Sequence, residues 1–190
     1  QPRILIPVAA ACVFLALALF IASGRSFAFD RSIVLLFREA GDPSMPIGPA
    51  WLREAVRDVT AFGSTVGLGM MTIAAGLTLW FCRHRHLAVG LALTVIGATA
   101  VSTVLKILIG RDRPDIVEHA ALTFTASFPS GHAFLSAVTL LSIAGFVGLA
   151  ARRDDITRLC LGLAWAMIVM IGVSRIYLGV HWPTDVIGGW

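Results

Sequence analysis

Three short stretches of this chain carry polar groups of types and spacings that could do chemistry. Near the end, Ser174 and Arg175 are followed by His181 and then, after three residues, Asp185. That spacing brings a carboxylate within reach of an imidazole if the chain turns helically at Pro183, a residue at ease in a first helical turn. A carboxylate on one ring nitrogen fixes the tautomer and leaves the other nitrogen to attack or to take a proton. Earlier, Lys106 and Arg113 stand with six residues between them and Pro114 behind them, and Pro129-Ser130-Gly131-His132 opens a long apolar run.

Together the stretches supply the cations Lys106, Arg113 and Arg175, the bases His132 and His181, and the carboxylate Asp185. Ser130 and Gly131 precede a helical run, so the backbone N–H groups of a helix start are free there, and that is an anion site. Cations, helix-end amides and a small hydroxyl describe a pocket for a tetrahedral oxyanion. These stretches hold no carboxylate cluster for Mg²⁺ or Zn²⁺, so neither metal nor cofactor is expected. Phosphoryl transfer without a metal needs cations for the equatorial charge, a nucleophile, and an acid for the leaving oxygen. Two histidines can fill the last two roles.

The elements that must position these groups are apolar helices. Of 190 residues, 57% are hydrophobic and 14% charged, with a mean hydropathy of +0.86. A soluble domain carries about 25% charged residues. Uncharged runs at 4–23, 60–82, 87–105, 133–151 and 159–173 are each read as membrane spans, and 186–190 as the start of a sixth that is cut short. The expectation is an all-α, polytopic membrane bundle of six transmembrane helices, with 1–190 as one domain. The first run is too long for a signal-peptide core.

Residues 24–59 are the long polar connection, with mixed charges and a helix-breaking run at 41–49, and 33–37 could lie in the interface. Trp51, Tyr177 and Trp182 suit the headgroup level. Cys12, Cys82 and Cys160 have neither metal spacing nor a disulfide pattern and read as packing residues.

The net charge of +4 does not point to nucleic acid, because the basic residues sit at span ends and in the motif stretches, not on one face. The basic turns 83–86 and 152–158 share one side if every run crosses, and the positive-inside rule makes that side cytoplasmic. All three polar stretches then fall on the outer face. A bacterial inner membrane with the site on its periplasmic side is the expected location.

Lys106-x6-Arg113-Pro114, Pro129-Ser130-Gly131-His132 and Ser174-Arg175-x5-His181-x3-Asp185 resemble the three signature motifs of the type 2 phosphatidic acid phosphatase superfamily, which includes vanadium haloperoxidases and glucose 6-phosphatase. Every signature position matches. The resemblance implies a phosphohistidine on His181, oriented by Asp185, and His132 as general acid. It implies a phosphate cradle of Lys106, Arg113, Ser130, Gly131 and Arg175, in a six-helix enzyme acting on lipid phosphates. A lone Lys106 or Arg175 would more simply snorkel at a span end; joint occurrence at the family spacing outweighs that. Pro114 and Pro129 need only end helices, and Asp112, Asp115 and Glu118 read as solvated or paired loop charges.

The expected partners are therefore a lipid phosphate or diphosphate and the bilayer. The rival readings are a haloperoxidase, whose relatives are soluble, a lipid phosphotransferase, and a non-catalytic lipid binder or transporter with a relict site. Phosphatidic acid, phosphatidylglycerol phosphate, a polyprenyl diphosphate and a lipid A phosphate all fit such a cradle. Selectivity would come from 24–59, 115–128 and the span faces.

Overall fold

The computed structural model describes residues 2–117 and 125–190. Glu118 and half of the stretch 115–128 expected to set selectivity lie outside the described residues. The order is α1 (Pro2–Ala22), α2 (Ala28–Leu36), a hairpin of β1 (Arg38–Glu39) and β2 (Asp42–Pro46), α3 (Ala50–Phe62), α4 (Thr65–Phe81), α5 (Arg85–Ile109), α6 (Gly131–Ala151), α7 (Asp154–Tyr177) and α8 (Pro183–Gly189).

Among the described residues, α5, α6 and α7 are long and apolar enough to cross a membrane. The pair α3 and α4 makes a fourth span if taken as one, although it is bent by 51°. Residues Pro7–Ala22 of α1 form a shorter apolar helix. The uncharged run 60–82 is therefore not one straight helix. Gly63 caps the end of α3, and Ser64 starts α4 by accepting a hydrogen bond from Gly67 N at 3.0 Å. A serine cap of this kind favours a new helix start over continuation. The elbow is also tightly packed, since a Cβ on Gly63 would lie 2.4 Å from Ile171 Cγ2 and 3.2 Å from His132 Cδ2.

The centre of the bundle is α6, which packs against α4, α5, α7 and α8. Its buried side chains are small: Ala133, Ser136, Ala137, Thr139, Ala144 and Gly148. Small residues let helix backbones approach where no hydrophobic drive acts between helices in lipid. Many large apolar side chains of α4, α5 and α7 face outward. Met70, Ile73, Leu93, Ile96, Ile107 and Leu163 are all exposed, as lipid-facing residues are.

The polar connection holds more structure than its sequence suggests. Residues 42–46 pair antiparallel with 38–39, so the run read as a mere helix breaker contains a strand, and the chain is mostly but not wholly α. Asp42 stabilises the turn by accepting from Ser44 N at 3.0 Å and Ser44 Oγ at 2.6 Å. Of residues 33–37, Val34 joins Ala133, Ile176 and Val186 in a core cluster, with Ile33 and Phe37 against it, while Leu35 and Leu36 are exposed. Tyr177 is buried and donates its hydroxyl to Ile47 O at 2.6 Å, so it ties the hairpin down and is not an interface anchor. Cys12 and Cys82 are exposed, which corrects their reading as packing residues; Cys160 is half-buried.

Candidate active site

The helical turn at Pro183 forms as the spacing predicts. Trp182 is the N-cap of α8, Pro183 occupies the first turn, and Asp185 accepts the Trp182 N–H at 2.9 Å. This places Asp185 Oδ2 3.3 Å from His181 Nδ1. On the other side of the ring, His181 Nε2 lies 3.2 Å from Arg113 Nη1. A guanidinium can only donate. Nε2 is therefore the acceptor, and Nδ1 carries the proton and donates it toward Asp185. Both residues are buried, His181 at 2% exposure and Asp185 at 0%, so the site is not solvent-facing as the charge content suggests. Burial pushes the His181 pKa down to about 4; the Asp185 hydrogen bond and charge oppose this, while Arg113 and Arg175 add to it. The ring is neutral at pH 7 with its lone pair on Nε2.

The expected phosphate-binding groups converge around it. Lys106, in the last turn of α5, donates to Ala126 O at 2.6 Å, and its stem passes 3.6 Å from where a Cβ of Gly131 would stand. Arg113 donates to Thr125 O at 2.9 Å and Val180 O at 2.7 Å. Burial lowers the Arg113 pKa, and Asp185 opposes the shift. Arg175, at the end of α7, is buried and donates to Thr60 Oγ1 at 3.0 Å across to α3. Ser130 caps α6 through its backbone carbonyl, which accepts from Phe134 N at 2.9 Å, and its N–H donates to Asp185 O at 2.9 Å. Ser130 Oγ and Arg175 Nε are buried and find no hydrogen-bond partner among the described residues. His132 follows on the first turn of α6, within electrostatic range of Arg175, His181, Arg113 and Lys106. Within the described residues, no three of His, Cys, Asp and Glu come together as a metal-ligand set.

Sequence reasoning misses three residues here. Ser127 donates to Asp185 Oδ2, and its Oγ lies 3.4 Å from His181 Nδ1. Arg111, inside the six-residue gap of the first motif, pairs with Asp185 Oδ1 at 2.5 Å and Asp30 Oδ2 at 2.8 Å. Asp30 comes from α2, where it reads as one of many loop charges. The pairing of Arg111 with a distant α2 leaves no mark in local spacing. Trp182 is part of the site's wall and not only an interface anchor: it donates to Asp112 O at 3.2 Å, and the Arg111 guanidinium carbon sits 5.7 Å from its ring centroid.

Two cavities adjoin the cradle. One of about 470 Å³ is lined by Arg25, Arg111, Asp112, Arg113, Asp115 and Trp182. Another of about 480 Å³ is apolar and runs between α1, α5, α6 and α8, with Phe14, Leu105, Phe134 and Ile187 in its walls.

A helical membrane bundle with a histidine–aspartate pair set among cations is the class these observations define. The PAP2 superfamily model matches residues 87–190, and the chain belongs to that superfamily. It is similar to phosphatidylglycerophosphatase B of Bacillus subtilis, 33% identical over 144 residues, which is 73% of this chain and 68% of that protein. It is also similar to an undecaprenyl-diphosphatase of Sulfolobus acidocaldarius, 34% identical over 60% of this chain and 53% of that protein. Among solved structures, the transmembrane PAP2-type phosphatidylglycerolphosphate phosphatase of Bacillus subtilis superposes with a TM-score of 0.82 at 29% identity, covering 96% of this chain and 88% of the other. Aquifex aeolicus LpxE shares the fold, with a TM-score of 0.62 at 24% identity over 86% of this chain and 89% of the other. The chain is thus an integral membrane protein whose named relatives are lipid phosphate hydrolases.

Proposed function

We propose that this protein is a lipid phosphatase that removes a phosphate from a lipid monophosphate or diphosphate through a phosphohistidine on His181, without a metal. The observation that carries this reading is the placement of His181, with Nδ1 toward Asp185 and the attacking nitrogen 3.2 Å from the Arg113 guanidinium. A phosphoryl group held by Arg113, Lys106, Arg175 and Ser130-Gly131 would present phosphorus to that nitrogen. The Nε2 lone pair forms the N–P bond as the P–O bond to the lipid breaks, and His132 protonates the departing oxygen. Water then attacks phosphorus and gives a proton to His132, as the N–P bond breaks and its electron pair returns to Nε2, freeing orthophosphate. The unpartnered donors of Ser130 and Arg175 suit the oxygens of such a group. The apolar cavity beside Leu105 suits the tail, and the mixed-charge cavity beside Arg113 suits the head group.

The test is phosphate release from a panel of lipid monophosphates and diphosphates in detergent, with and without saturating chelator. Release should survive the chelator, because the cradle's cations replace the charge a metal would supply, and vanadate should inhibit as a transition-state mimic. Loss of all activity with chelator, restored by Mg²⁺, would overturn the mechanism.

In this reading the chain makes six crossings in a bacterial inner membrane with the site on the outer face. The basic turns at the opposite end, 83–86 and 152–158, support that orientation. In a version lacking native cysteines, a cysteine at position 115 should react with an impermeant reagent from outside, and one at position 84 only after the membrane is opened. The reverse pattern places the site in the cytoplasm.

A further inference from the structure

Asp185 is held from a second direction that the reaction as written does not use. Arg111 Nη1 donates to Asp185 Oδ1 at 2.5 Å and to Thr184 Oγ1 at 2.7 Å, and its Nη2 donates to Asp30 Oδ2 at 2.8 Å. Asp30 in turn accepts from Thr184 N at 2.9 Å and Thr184 Oγ1 at 2.6 Å. The side chains are 8%, 2% and 0% exposed for Arg111, Asp30 and Asp185. Charges this far from water act strongly on one another and are costly to leave unpaired.

We propose that Asp30, acting through Arg111, is a positioning residue for the nucleophile: it divides the guanidinium's charge so that Asp185 keeps negative charge for His181. The inference rests on the proposed role of His181. One cation serves two carboxylates, so the cluster holds one surplus negative charge. His181 faces it through Asp185 and Ser127, while Arg113, Arg175 and His132 face the ring from the other elements. On attack, the ring gains the N–P bond, keeps its Nδ1 proton and becomes cationic. Without the Asp30 charge, Arg111 would neutralise Asp185 alone, and the surplus that stabilises the cationic ring would vanish. Asp30 also holds the N–H and the hydroxyl of Thr184, the residue before Asp185, so the same contacts set the carboxylate's direction.

Charge balance and plain packing make opposite forecasts. Asp30→Asn removes the surplus, Arg111→Gln enlarges it, and the two together restore it. The His181 ring should therefore titrate at lower pH in Asp30→Asn, at higher pH in Arg111→Gln, and near the parent in the double variant. The readout is ¹⁵N NMR of histidine-labelled protein in detergent micelles, with the His181 signals assigned by their loss in His181→Ala. Asp30→Asn should also slow phosphoenzyme formation from an aryl phosphate by at least about tenfold, the equivalent of one pKa unit. Shifts in the same direction, or none, overturn the proposal. If one single variant fails to fold, the direction in the other decides. A parent that titrates as expected but releases no phosphate from any lipid would refute the phosphatase reading and leave this charge coupling measurable.

Discussion

Replacing His181 with alanine should abolish phosphate release while leaving a protein that can be extracted and folded. The loss should be on the order of 10⁴- to 10⁶-fold, the range seen when one member of a catalytic unit is removed. Folding should survive because Asp185 is not left alone by the change. Its oxygens keep Arg111, Ser127 and the Trp182 N–H as donors, so no unpaired buried charge appears. The lost ring opens a cavity beside Val180 and Ser127, which lowers the melting temperature without preventing assembly. Rapid acid quench of the parent with labelled substrate should trap an acid-labile phosphoenzyme, absent from the variant. Near-parent turnover in His181→Ala, or a parent that never accumulates that species under any quench, would remove His181 from the role of nucleophile.

Replacing His132 should have a large effect that depends on the substrate. A lipid alkoxide is a very poor leaving group, so its departing oxygen needs a proton. In the proposed mechanism His132, on the first turn of α6, gives it. General acid catalysis contributes about 10²- to 10⁴-fold where the leaving group needs it. His132→Ala should lose that factor on a lipid monophosphate and far less on an aryl phosphate whose phenolate leaves unaided. His181→Ala should be equally inert on both. Equal losses for both variants on both substrates would make His132 a cradle residue and not the acid.

Much of the site is legible in the sequence because it rests on short-range spacing. Three intervening residues and a proline in the first helical turn suffice to join His181 to Asp185; Lys106, Ser130, Gly131, His132 and Arg175 stand at helix ends, and Arg113 in the loop after α5. The partners of the partners are not legible. Asp30 meets Arg111 across 81 positions of chain, and Arg175 meets Thr60 across 115, and no local pattern encodes such distances. Burial of the pair is equally hidden, because charged residues ordinarily signal water. In the fold, hydropathy finds the apolar runs but not the elbow inside 60–82, since Gly63 and Ser64 are both uncharged. The hairpin at 38–46 is missed for a related reason: its turn chemistry reads only as a helix stop.

The cradle cations have neutral partners. Lys106 rests on the carbonyl of Ala126, Arg113 on those of Thr125 and Val180, and Arg175 on the hydroxyl of Thr60. Such acceptors aim a cation but do not cancel it, and no carboxylate among the described residues pairs with any of the three. A half-buried concentration of positive charge does not distinguish a lipid's phosphoryl group from free orthophosphate. In the proposed cycle, letting go of that product is a step with its own barrier. Inorganic phosphate, and tetrahedral anions such as sulfate, would compete with the lipid for the seat, and the enzyme's throughput would answer to the anions dissolved around it as well as to the lipid supplied by its membrane.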